Sequence, residues 1–433
     1  MTNTAGGTLT KIRLIKEMTT MTTMPKLSRR AMIAALALAA TGAAVLTPVR
    51  AMAGIADEFM VHLNDVQRQQ FQAWRAARHA YEGRLDAYWA AVEGKRAERR
   101  KKKAAKLELV ASDYVPSFPP QYEGPHLAPG LLRAWNKFIA DEEAKQPQPP
   151  EPPKEIPSIE DFLAAAKRIY GFTPERVSER AFKERYAEEA IALGLSKAQV
   201  VRVYALETGG QGTADMQSGV HPISKRGKPI STAIGYAQLL DANSVSELAK
   251  HGPRFIASLQ QMAARSGVPR ERAIQLRGKA TILTRMLADA KSVPNVWARH
   301  QAFAKTPEGQ GIHAINIDGD IGPMLQAIKL LGLKEEAEKA GKPQLLGCEM
   351  ELMNLAGPGT GLEILLYPGA ASAPTPNFFA RKAYYVNKMA QNLTGAGLLA
   401  ELDRRMDADI TKPGSAEFAA AFDSLAAAPL PWR

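Results

Sequence analysis

Six of the twelve residues from Gln146 to Pro157 are proline. No single helix or central strand can run through such a stretch, because each proline lacks a backbone donor and holds φ near −65°. The segment reads as a semi-stiff spacer that divides the chain. On its N-terminal side, residues 54–113 read as a helical, basic region, and residues 114–157 as a proline-rich linker that holds one short helix between Gly130 and Lys145. On its C-terminal side, Ser158-Ile159-Glu160-Asp161 has the form of a helix start and opens the larger domain, 158–410, with a tail over 411–433.

Within 54–113 the residues Leu63, Val66, Trp74, Ala77, Tyr81, Leu85, Tyr88 and Val92 recur at helical spacing. They predict one long helix, or a hairpin broken at Gly83. In the larger domain apolar residues again recur at spacings of three and four, for example from Glu179 to Leu193, Ser196 to Leu206, Pro269 to Lys291 and Leu345 to Asn354. An alternating pattern is confined to a short stretch near Ile364 to Tyr367, so the fold class is mainly α. The loop Gly209 to Thr232 carries five glycines and two prolines and is expected to be exposed.

The N-terminus carries a second kind of signal. Ser28-Arg29-Arg30 stands directly before an apolar run from Ala31 to Val45, and Ala51-Met52-Ala53 follows in the form of a cleavage site. The run is short for a bilayer span, and residues 1–53 are read as an export signal of twin-arginine type, with a retained anchor as the alternative. Export places the mature chain in the periplasm. Removing residues 1–53 takes away seven Lys/Arg against one acid and halves the formal net charge of +12.

Eight basic residues crowd the end of the first region: Lys95, Arg96, Arg99, Arg100, Lys101, Lys102, Lys103 and Lys106, around a single Glu98. A solvated charge run and a contact with an anionic surface or an envelope protein both fit this pattern, whereas an exported chain rarely meets nucleic acid. Cys348 is the sole cysteine and sits among leucines, so it reads as a small buried hydrophobe and no intramolecular disulfide can form. The seven histidines lack ligand spacing, and no glycine-rich phosphate cradle follows a strand; no metal or cofactor is expected.

Glu207 ends the apolar run Val200 to Leu206, where burial would raise its carboxyl pKa and keep it protonated as a general acid. Around it a set of short motifs occurs in a fixed order: Glu207-Thr208, then Gly235-Tyr236-Ala237-Gln238-Leu239, Asn316-Ile317, Ala356-Gly357-Pro358-Gly359 and Tyr385-Val386. In this order they resemble the motifs of the lytic transglycosylase and goose-type lysozyme superfamily, over about Ala187 to Leu393. There are departures: Thr208 stands for serine, Tyr236-Ala237 for Leu-Met, and Asn354-Leu355 where Tyr-Asn is usual. The stretch from Asp241 to Ile315 is an insertion relative to typical members, placed to cover a glycan cleft and restrict it to chain ends.

The resemblance implies a lysozyme-like catalytic domain that acts on peptidoglycan glycan strands. One glutamate, here Glu207, protonates the oxygen between N-acetylmuramic acid and N-acetylglucosamine, the substrate acetamido group supports the cationic centre, and the C6 hydroxyl closes a 1,6-anhydro ring. It also implies substrate contacts by Thr208, Tyr236, Gln238, Asn354 and Gly357, and Tyr385 as a donor that orients Glu207. Two other outcomes stay open: a hydrolytic muramidase with Asp215 as second carboxylate, and a non-catalytic wall-binding or scaffold protein.

Overall fold

The computed structural model describes residues 49–145 and 156–427, which form two compact units, one on each side of residue 155. The export signal lies for the most part outside the described residues. Among the described residues all regular structure is helical, and β structure is confined to isolated bridges. No described helix is long and apolar enough to cross a membrane.

The first unit consists of α1 (Val49–Met60), α2 (Asp65–Ala104) and α3 (Pro129–Lys145). Asn64 starts α2 with a capping box: its Oδ1 accepts from Gln67 N at 2.9 Å, while Gln67 Oε1 accepts from Asn64 N at 3.2 Å. The helix runs unbroken through Gly83, where a Cβ would meet open space. Its buried stripe is Phe71, Trp74, Tyr81, Leu85, Tyr88, Trp89 and Val92; Val66, expected in the stripe, is exposed.

The stretch expected as a linker is in large part packed structure. Leu127, Leu131, Trp135 and Ile139 close a core with Phe59, Phe71 and Trp74. Tyr88 donates to the Ser117 carbonyl at 2.9 Å, and Arg78 lies over the Tyr122 ring, so 114–128 follows the side of α2. Proline stiffens this segment without detaching it, because its aromatic and leucine side chains find apolar partners on the helix.

The second unit begins with α4 (Ile159–Tyr170), α5 (Glu179–Ala192) and α6 (Lys197–Thr208). Ser158, Ser178 and Ser196 accept from the backbone N–H groups of Asp161, Ala181 and Gln199 and so cap the three helices. Then follow α7 (Asp241–Ala264), α8 (Arg270–Lys291), α9 (Trp297–Ala304), α10 (Pro307–His313) and α11 (Ile321–Lys339). The chain continues through α12 (Gly347–Ala356), α13 (Pro358–Leu366), α14 (Pro368–Ser372), α15 (Arg381–Val386), α16 (Gly395–Ile410) and α17 (Pro413–Ala427).

Several expectations change here. The 241–315 stretch is part of the core: α7, α8 and α10 place Val245, Leu248, Phe255, Leu283, Met286 and Ile312 in one cluster with Phe162, Tyr170 and Leu325. The described part of the expected tail holds the packed helix α17, with Phe418 and Phe422 buried and α17 lying on α5 and α6. Ile364 belongs to α13, and Tyr385-Val386 ends the short α15, which has a 3-10 turn on either side. In the 209–232 loop Met216, Gln217, Ser218 and Ser231 are buried; exposure is concentrated in the turn over 221–229.

Candidate functional site

Glu207 is the penultimate residue of α6, and Gly209 (φ +63°) and Gly210 (φ +66°) turn the chain immediately after it. Both glycines are in the left-handed region, which carries no Cβ penalty for glycine alone. A Cβ on Gly210 would also stand 2.3 Å from the Asp409 carbonyl oxygen. Helix α6 is buried through Val200, Val201, Val203, Tyr204 and Leu206, and Glu207 with it is only 6% exposed.

The partner of Glu207 comes from α12, which packs against α6. Asn354 Nδ2 donates to Glu207 Oε1 at 3.0 Å and lies 3.5 Å from Glu351 Oε2. Glu351 and Asn354 are one turn apart and share a face of α12. The other two oxygens, Glu207 Oε2 and Glu351 Oε1, are buried and have no hydrogen-bond partner. Burial first, and then the Glu351 charge, push the Glu207 carboxyl well above the usual carboxylate range. Burial likewise pushes Glu351 up, opposed by the neighbouring Glu207 and Asn354 side chains and by the Lys329 charge. Two carboxyls set together in a low-dielectric site resist double ionisation.

Sequence reasoning missed Glu351. Its signal was present: an acid inside the apolar run Met350, Leu352, Met353, three residues before an asparagine, with no exposed face to carry it.

The other expected site residues divide into several groups. Asn354 does reach the Glu207 carboxyl, and one of its amide donors is engaged there. Thr208 is fully buried and its Oγ1 donates to the Tyr204 carbonyl at 2.6 Å, which removes it as an acetamido contact. Tyr236 is buried among Phe182, Tyr186, Tyr204 and Phe418, and its hydroxyl donates to Glu179 Oε2 at 2.5 Å. It is a core residue, since a ring of that size at that position fills the space between α5, α6 and α17.

Gln238 closes the turn between Ile234 and Leu239 at φ +43°, and its Nε2 donates to the Gly235 carbonyl at 2.7 Å. Its amide donor therefore serves the turn. Gly357 separates α12 from α13 at φ +85°. Tyr385 is partly exposed on α15 and packs edge-on against Tyr384.

Asn316 is fully buried, and its Nδ2 donates to Ser244 Oγ at 2.6 Å and to the His313 carbonyl at 3.0 Å. His313 in turn joins Ser244 at 2.8 Å and the Thr232 carbonyl at 2.7 Å, so this motif ties α7, α10 and the loop together.

Asp215, the expected second carboxylate, is engaged elsewhere. Arg176 bonds it at 2.5 Å, Lys225 at 2.9 Å and Thr213 Oγ1 at 2.6 Å. Although burial opposes it, these partners hold its carboxyl below the usual value. Cys348 is buried, and burial with a hydrogen bond to Asp403 pushes its thiol up to about 12, which leaves no thiolate for nucleophilic work near neutrality. Among the described residues no group of three or more histidines, cysteines or acids is placed to hold a metal ion.

No protein-family model, no curated protein and no solved structure matches this chain.

Proposed function

We propose that the chain is exported to the periplasm and that its second unit is a lysozyme-like lytic transglycosylase that cleaves the β-1,4 bond from N-acetylmuramic acid to N-acetylglucosamine in peptidoglycan. The observation that carries this is the contact of Glu207 with Asn354, which joins the first motif of the series to the segment of the fourth across 147 residues of sequence. A buried carboxyl raised well above its ordinary range is also the acid such a reaction needs.

Glu207 gives its proton to the bridging oxygen as the bond from that oxygen to the sugar C1 breaks. The substrate acetamido oxygen supports the cationic carbon, so a second protein nucleophile is not required. The Glu207 carboxylate then takes the C6 hydroxyl proton while the C6 oxygen bonds to C1, which closes the 1,6-anhydro ring and restores the acid. No cofactor enters the balance.

The test is mass spectrometry of soluble products from purified peptidoglycan, incubated with the mature chain and with Glu207→Gln. Products lighter by one water than hydrolysed muropeptides, absent with the variant, are expected. Hydrated reducing ends would make it a muramidase, and no products from either protein would leave a wall-binding or scaffold role.

A contact with an anionic lipid bilayer belongs to the same proposal. Arg99 and Lys102 are spent inside the first unit on the Asp113 carbonyl and carboxylate. Arg100, Lys101 and Lys106 remain exposed beside Leu107 and Val110, which are 57% and 44% exposed, with Glu108 as the local countercharge. Val110 N donates to Asp113 at 2.9 Å and Leu109 is buried, so the loop that displays the two apolar side chains is held in place. Cations around an apolar tip fit an anionic membrane surface.

A further inference from the structure

The Asn354 amide nitrogen lies 3.0 Å from one oxygen of Glu207 and 3.5 Å from one of Glu351, so those two oxygens are no more than 6.5 Å apart. Their other oxygens are buried without a hydrogen-bond partner. As two carboxylates the residues would offer only acceptors to each other; with one proton between them, one becomes a donor. We infer that Glu351 is a positioning residue that holds a shared proton with Glu207 and so sets the protonation state in which Glu207 meets its substrate. This deepens, and rests on, the reading of Glu207 as the acid of glycan cleavage.

The surrounding charges decide which carboxyl keeps the proton. Lys329 on α11 acts on Glu351 and favours its ionised form. Arg202 on α6 is closed by Asp403 and Asp407 of α16 at 2.5 and 2.7 Å, and Glu349 by Lys342 at 3.0 Å. Glu363, on α13, is buried. Among the described residues Lys329 is the cation that acts on the pair; burial lowers its own amine, and what charge it carries stands on the Glu351 side and favours the proton on Glu207. Once Glu207 has given that proton to the leaving oxygen, two anions are adjacent. That repulsion makes Glu207 a stronger base for the C6 hydroxyl, which is what one residue serving both halves of the reaction requires.

Two readouts on the full mature chain test this. The first is the pH–rate profile on purified peptidoglycan for wild type, Glu351→Gln and Glu351→Asp. Removing the Glu351 charge lets Glu207 ionise earlier, so the alkaline limb in Glu351→Gln moves to lower pH by about one unit or more. The rate at pH 8 falls about tenfold with KM unchanged, and Glu351→Asp stays near wild type. The second is unfolding stability against pH for wild type, Glu351→Gln and Glu207→Gln. The native pair holds a proton that the unfolded chain loses near ordinary glutamate values. Wild-type stability therefore declines from about pH 5 to 8, and each single variant declines less steeply.

An unchanged alkaline limb in an active Glu351→Gln overturns the inference and leaves the function standing. Parallel stability slopes overturn it whatever the activity. Different slopes in a chain that cleaves no glycan uphold the shared proton and overturn the function. Should Glu351→Gln fail to fold, the slope of Glu207→Gln against wild type decides in its place.

Discussion

Asn354 Nδ2 donates to Glu207 Oε1 at 3.0 Å, and this one bond brings α12 to the end of α6. It ties the candidate acid to a helix that Gly357, of the Ala356-Gly357-Pro358-Gly359 motif, terminates.

Tyr236→Phe is expected to destabilise the chain by about 1–3 kcal/mol while leaving KM for glycan unchanged, because it takes a donor from a mostly buried carboxylate, Glu179. Thr208→Val is expected to cost less than about 1.5 kcal/mol and also to spare KM, since only a bond within α6 is lost. Urea denaturation and steady-state rates on glycan check both; a raised KM in either variant would restore a substrate contact.

Lys279 stands within 2.8 Å of Glu175, 2.9 Å of Asp318 and 2.5 Å of Asp320, and both aspartate side chains are fully buried. Lys279→Met leaves them without this amine and is expected to cost about 3–5 kcal/mol in chemical denaturation. Glu175 itself is set by opposing effects: partial burial raises it, while Lys279 and Arg272 lower it further, to about 2. A depressed carboxyl stabilises above its unfolded value and loses that contribution as pH falls through its folded value. Glu175→Gln is therefore expected to flatten the stability loss between about pH 4.5 and 2, read by acid titration of unfolding.

The exposed tip of α2 predicts that the mature chain co-sediments with vesicles of phosphatidylcholine and phosphatidylglycerol, and less with phosphatidylcholine alone. Lys101→Glu with Lys106→Glu is expected to weaken binding at least tenfold. Leu107→Ser with Val110→Ser weakens it at unchanged charge. Indifference to lipid charge, or to the two apolar substitutions, would count against a bilayer as the partner.

Much of the helical content was legible from spacing, because a buried stripe must recur with the helix turn. The runs at Glu179–Leu193 and Pro269–Lys291 end within a residue or so of α5 and α8. Pro253 could divide a helix, yet α7 carries through it as a single helix, since packing on both flanks outweighs one lost backbone bond. Gly83 raised the same possibility, and the stripe on α2 overrode it.

By itself the sequence determined the helical class, the division at the proline run, and Glu207 as an acid at the end of an apolar helix. Those follow from local spacing and composition, which are properties of neighbouring residues. Only the tertiary structure decided that Glu351 stands beside Glu207, that Thr208 and Tyr236 face inward, and that 413–427 packs as α17. Such contacts join residues far apart in the chain, and burial between helices, not spacing along one, sets which carboxyl meets which.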